Sequence, residues 1–279
     1  MQITTIFKKA YPAILIAMFL GCSNGTEDQR VNNSSINYGA QLSEQLTSSV
    51  LWYKFSSEMR ANYYQAFNYG KIIVTDNLKQ LKKGQKAAVV FDVDETVLDN
   101  SPFEAEIIYN NLAYTDSLWS VWVYKANAKA LPGALEFTKY LQNLGIEVFY
   151  ITNREQQHKG ITIKNLISEG FPFADSAHVL TKEPGKSNKT ERRNLVSDNF
   201  QIILLVGDNL RDFDEKFSDR SNDLGFKAVD ENAHEFGTKY LVLPNPMYGE
   251  WEKGIYQYKK EISDSVMFEM RRNIMKTVF

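Results

Sequence analysis

The sequence predicts an α/β fold, a doubly wound parallel sheet with a helical cap. Three observations predict it. Four short apolar runs, Ala87–Phe91, Val148–Ile151, Ile202–Val206 and Tyr240–Leu243, have the length and unbroken hydrophobicity of strands buried on both faces. Stretches with helical patterning separate them, as right-handed βαβ units require. The first three runs each give way abruptly to polar residues, at the carboxyl strand ends where open parallel sheets hold their ligands.

Composition agrees. The chain has 279 residues, 43% hydrophobic and 13% aromatic, enough for a sizeable core in one large domain or two small ones. Lys plus Arg is 32 and Asp plus Glu is 34, a formal charge of −2 that argues against a nucleic-acid polymer as partner. One cysteine excludes an intrachain disulfide and a cysteine-built zinc cluster.

The elements follow in order. Lys8 and Lys9 precede the apolar run Ala13–Leu20. Eight helical residues span only ~12 Å, far short of a ~30 Å hydrocarbon core, so residues 1–21 read as a signal peptide rather than a membrane span. Leu20-Gly21-Cys22 resembles the bacterial lipobox, which implies lipidation at Cys22, export, and anchoring through the lipid to the cell envelope, at the outer membrane. An ordinary secretory signal with a chance cysteine is the alternative. Residues 22–40 are polar and turn-rich, as expected of a flexible tether.

Residues 41–84 form a helical region contributing to the cap: Tyr64, Phe67, Val74, Leu78 and Leu81 fall on one face. Lys82-Lys83-Gly84 supplies the stop. Residues 85–252 are the core, with the cap inserted at about 103–130; within it Leu112–Ala130, carrying Trp119, Trp122 and Tyr124, reads as helical. Ala134–Leu144 and Gly160–Ser168 read as helices between strands, and Asp264–Lys276 as a helix in a C-terminal tail, 253–279.

The chemistry sits at the strand ends. They carry Asp92-Val93-Asp94-Glu95-Thr96, Thr152-Asn153-Arg154 and Gly207-Asp208-Asn209-Leu210-Arg211-Asp212. Carboxylates brought together there raise one another's pKa unless a cation sits among them. Hard oxygens without a neighbouring His or Cys set point to magnesium. A calcium loop starting at Asp92 fails, because its sixth position is Val97 instead of glycine and its twelfth is Phe103 instead of glutamate.

Asp92-x-Asp94-x-Thr96, Thr152, a downstream lysine and Gly207-Asp208-x3-Asp212 resemble the four motifs of the haloacid dehalogenase phosphatases. The strings Phe91–Phe103, Lys186-Ser-Asn-Lys189 and Val242–Trp251 resemble class C acid phosphatases, bacterial surface lipoproteins with 5′-nucleotidase activity. The resemblance covers roughly residues 45–252. It implies a haloacid dehalogenase-like core and a small phosphomonoester as substrate. Asp92 is then the nucleophile, Asp94 the general acid and base, and Asp92, the Asp94 carbonyl and Asp208 the magnesium ligands. Thr152, Asn153 and one lysine bind substrate, and Asp212 orients that lysine or a metal-bound water. Lys186 and Lys189 are both candidates and the family pattern favours Lys189; most other cations of the stretch Lys182–Arg193 read as a solvated helix start. The family also suggests a homodimer.

The resemblance further implies that Trp119 and Tyr248 sandwich a nucleobase; the alternative for Trp119 is packing between cap helices. Trp122 and Trp251 read as packing, and His158, His178 and His234 as structural or solvated. The reading that follows is a magnesium-dependent phosphatase working through an aspartyl-phosphate, on nucleoside 5′-monophosphates. Two alternatives stand beside it: a broad acid phosphatase or phosphotransferase without base preference, and a surface adhesin with an incidental phosphatase site.

Overall fold

Five parallel strands form the central sheet in a computed structural model that describes residues 36–259 and 261–278. In chain order they are β1 (Ala87–Phe91), then β4 (Glu147–Glu155), β5 (Val179–Lys182), β6 (Gln201–Gly207) and β7 (Tyr240–Val242); β2 (Leu98–Asp99) and β3 (Lys129–Ala130) lie outside the sheet. The sheet order is β5-β4-β1-β6-β7. The first strand is thus central, and the chain winds outward from it in both directions, the doubly wound topology expected. Val89 and Phe91 of β1 join one apolar cluster and Ala88 and Val90 the other, so both faces of the strand are lost to packing. That is why its five residues carry no polar side chain.

Strand β5 was not expected. It is short, with alternating burial, and leads into a basic stretch, so its edge position was not marked by a continuous apolar run.

The segment expected as one helical region folds as α1 (Tyr38–Glu44), α2 (Thr47–Phe55) and α3 (Ser57–Leu78). Ser56 breaks the run: its side chain accepts from the Met59 backbone N–H and caps α3. Helix α1 begins within the expected tether. Of α3, Tyr63, Phe67, Ile73 and Val74 are buried, whereas Tyr64, placed on the inner face by periodicity, is exposed. Tyr63 faces inward because its hydroxyl donates to the Glu95 carbonyl at 2.5 Å. Helix α3 therefore belongs to the layer on the sheet, with Phe67 and Phe137 ring centroids 5.4 Å apart, and α1 and α2 pack on the cap.

The cap itself is α4 (Ser101–Tyr109) and α5 (Asp116–Lys125), entered and left through the antiparallel pair β2–β3. Lys129 and Ala130, at the end of the segment whose sequence reads as helical, instead form the return strand of that neck. The remaining helices are α6 (Ala134–Asn143), α7 (Lys159–Ser168), α8 (Thr190–Ser197), α9 (Phe226–Glu231), α10 (Glu250–Ile255) and α11 (Asp264–Met275). Helix α11 is more than a tail, since it packs on α1. Among the described residues no helix is long and apolar enough to cross a membrane. The expected signal peptide and Cys22 lie outside the described residues, as does most of the tether.

Candidate active site

The carboxyl ends of β1, β4 and β6, the three central strands, open on one cavity of about 590 Å³. Asp92 leaves β1 with its backbone N–H still donating to the Val206 carbonyl at 2.9 Å, which fixes its position against β6. The chain then turns sharply: Glu95 adopts a left-handed φ of 55° that a side-chain-bearing residue seldom occupies. Two anchors hold it there. Tyr63 bonds its carbonyl, and its buried carboxylate accepts from the Asn100 backbone N–H at 2.7 Å.

Carboxylate oxygens of Asp92, Asp208 and Asp212 lie within 4.8 Å of one another. Lys189 stands at the N-terminus of α8, 3% exposed, ion-paired to Asp92 Oδ1 and 2.7 Å from Asp212 Oδ1. Burial pushes Asp92 up to about 7; Lys189 pulls it down, and Asp212 and Asp94 push it up. Burial also raises Asp208, reinforced by Asp212 and Asp92. Burial lowers the Lys189 ammonium, but Asp212 and Asp92 outweigh that and hold it above its ordinary value. One buried cation among three carboxylates leaves excess negative charge, and the donors are hard oxygens, so the set fits a divalent cation.

Asp212 reaches Lys189 because its other oxygen is fixed by the Asn209 backbone N–H at 3.0 Å, closing a capping box on the turn Leu210–Asp212. Gly207 makes room for that carboxylate: a Cβ there would sit 2.7 Å from Asp212 Cβ. Asp208 accepts from Asn245 Nδ2 at 2.8 Å.

The Asp94 carboxylate is not part of the cluster. Arg154 grips it through Nη2 at 2.8 Å and Nε at 3.0 Å, Asn100 Nδ2 donates at 2.9 Å and Thr152 Oγ1 at 3.2 Å. Of the aspartates in the strand-end motifs, three side chains therefore meet, and Arg154 satisfies the fourth, Asp94. Thr152 points at Asp94 and is buried, whereas Asn153 is exposed and accepts from Arg192 at 2.7 Å.

Of the two candidate lysines, Lys189 lies in the aspartate cluster, whereas Lys186 is exposed and paired with Glu183 and Glu191. The solvated reading of its neighbours also needs correction. Arg192 and Arg193 are each 8% exposed, and their guanidinium groups bind the Thr152 carbonyl and the Asp212 carbonyl. They pin the segments that follow β4 and β6 to α8. Trp119 and Tyr248 both line the cavity; Trp119 also stacks edge-on against Phe103 at 5.2 Å and lies beneath the Arg154 guanidinium at 5.6 Å. Arg154, Asn100 and Asn245 have no assignment from sequence, and Arg192 none to the site. Only their place in the quoted motif strings, or beside one, could have marked them.

Residues 8–251 match the family described as HAD superfamily, subfamily IIIB (Acid phosphatase). The chain belongs to that family. A structure of the class C acid phosphatase from Bacillus anthracis is 39% identical, with a TM-score of 0.79 over 84% of this chain and 97% of that one. The same acid phosphatase with tungstate bound is 38% identical, again with a TM-score of 0.79, covering 84% of this chain and 97% of that one. Acid phosphatase 1 of Solanum lycopersicum is 33% identical over 167 residues, which span 57% of this chain and 57% of the tomato protein. The stem 28 kDa glycoprotein of Glycine max is 26% identical over 70% of this chain and 69% of its own length. The HAD acid phosphatase fold, a parallel sheet flanked by helices with acids at the strand ends, is thereby accounted for.

Proposed function

We propose that this HAD acid phosphatase hydrolyses phosphomonoesters through an aspartyl-phosphate on Asp92, with magnesium, and prefers nucleoside 5′-monophosphates. The observation that carries the reading is the buried Asp92–Lys189–Asp212 pairing at the floor of the cavity, with Asp208 beside it. Lys189 occupies Asp92 Oδ1, and among the described residues Oδ2 has no hydrogen-bond partner, which leaves its lone pair for attack. That oxygen forms a bond to phosphorus while the ester P–O bond breaks. Asp94 gives the leaving alkoxide its proton, then takes one from the water that attacks phosphorus and releases Asp92. Arg154 aims Asp94 for both transfers, and Lys189 neutralises charge on the phosphoryl oxygens. Asp92, the Asp94 carbonyl and Asp208 would hold magnesium, which offsets negative charge on the phosphoryl group.

A relative that binds tungstate, an oxyanion, supports phosphate as the ligand of this pocket. Trp119 and Tyr248 on the same cavity support a flat aromatic leaving group. The test is a phosphomonoester panel with magnesium, repeated with EDTA and after re-addition of the ion. Turnover that survives chelation would contradict the metal assignment. For the base preference, Trp119→Ala should lower kcat/KM selectively for a nucleotide; an equal loss for a small sugar phosphate favours a broad acid phosphatase.

Export with a lipid on Cys22, placing the enzyme on the cell envelope at the outer membrane, completes the proposal and rests on the leader sequence. Cys22→Ala should then move the protein from the membrane to the soluble fraction.

A further inference from the structure

The cavity wall away from the aspartate cluster carries its own acids. Glu250 of α10 is paired with Arg211 at 3.1 Å and Lys253 at 2.6 Å. Glu252 is paired with Arg271 of α11 at 3.3 Å. Glu104 of α4 has no such partner. It lines the cavity and is 8% exposed, and among the described residues its carboxylate makes no hydrogen bond or ion pair.

An acid so placed costs the fold stability unless something returns its lost hydration. Its position in the first turn of α4 gives only the weak help of the helix dipole. Burial, with Glu252 nearby, pushes it up to about 7. Trp119, Tyr248 and Tyr256 line the same cavity, and aromatic walls beside a carboxylate suit a group that is cationic or rich in N–H donors.

We propose that Glu104 is a specificity residue that accepts a hydrogen bond from an amino group on the leaving group of the substrate. The inference rests on the cavity being a phosphomonoester site, and narrows the substrates to esters bearing an amine. Glu252, held by Arg271, adds negative potential but has its own partner, so Glu104 makes the contact. The amine belongs either to a nucleobase or to an aliphatic ammonium; the chemistry at Glu104 is the same.

The test compares kcat/KM in wild type, Glu104→Gln and Glu104→Ala for two matched pairs. The first is AMP against purine riboside 5′-monophosphate, which lacks only the exocyclic amine. The second is 3-aminopropyl phosphate against propyl phosphate. Wild type should favour the amino member of at least one pair by about tenfold or more, and the pair that responds identifies the source of the amine. Glu104→Ala should bring that ratio to within about twofold. Glu104→Gln keeps the side chain's shape and guards against a folding failure; it should lower the ratio in the same direction. No amine preference in wild type, or one that survives in Glu104→Ala, overturns the inference and leaves the phosphatase reading standing. Hydrolysis of none of the four esters would remove the phosphatase reading and this inference with it.

Discussion

Arg154 holds Asp94 by two nitrogens, Nη2 at 2.8 Å and Nε at 3.0 Å from the same carboxylate oxygen. The guanidinium is itself fixed, lying over Trp119 and donating to Thr162 Oγ1 at 3.3 Å. A rigid fork on a carboxylate sets its direction as well as its charge. Arg154→Met should therefore leave Asp94 misdirected and lower kcat by about a hundredfold for alkyl phosphates. The loss should be smaller for p-nitrophenyl phosphate, whose leaving group needs little protonation. Equal losses for both would show that Arg154 does not act through Asp94.

Asp92→Asn should abolish turnover, by about four orders of magnitude or more, while keeping the fold. The amide has nearly the shape of the carboxylate and can still meet Lys189, but it is a poor nucleophile toward phosphorus. Steady-state rates alongside a thermal melt separate the two effects. Wild-type-like turnover would remove Asp92 from the reaction.

Lys189 is the buried cation between Asp92 and Asp212, so Lys189→Ala should cost about 3–5 kcal/mol of stability as well as activity. The carboxylates it leaves behind repel one another in a site with little water. Magnesium should then raise the melting temperature of the variant more than that of wild type. An equal shift in both would mean that ion and lysine do not compensate the same charge.

Glu104 makes stability depend on pH. Its folded value, about 7, lies above the ordinary 4.5, so the folded state holds the proton more tightly. The stabilising contribution is complete below about 4.5 and is lost as pH rises through about 7. Urea titrations at pH 5 and pH 8 should show Glu104→Gln gaining on wild type at the higher pH, by up to about 3 kcal/mol. A difference independent of pH would show that Glu104 is not the strained acid described.

The sheet was legible because its central strands lose both faces to packing: Ala87–Phe91 and Ile202–Val206 can be nothing but apolar. Strand β5 escaped notice, since an edge strand of four residues needs only alternate burial. Tyr64 and Tyr63 illustrate a similar limit. Helical periodicity cannot choose between adjacent tyrosines when the decision is a hydrogen bond to Glu95, 32 residues away.

The sequence by itself determined four of the five sheet strands, the aspartates at the ends of β1 and β6, and the family, because these rest on local runs and fixed spacings. Tertiary structure decided that Lys189, which the family pattern favoured, enters the site in place of Lys186, that Arg154 draws the Asp94 carboxylate out of the cluster, and that among the described residues Glu104 is buried without a cation. Each of those is a question of which charge reaches which across the fold. Coulombic partners are set by distance in space, and separation along the chain carries no record of it.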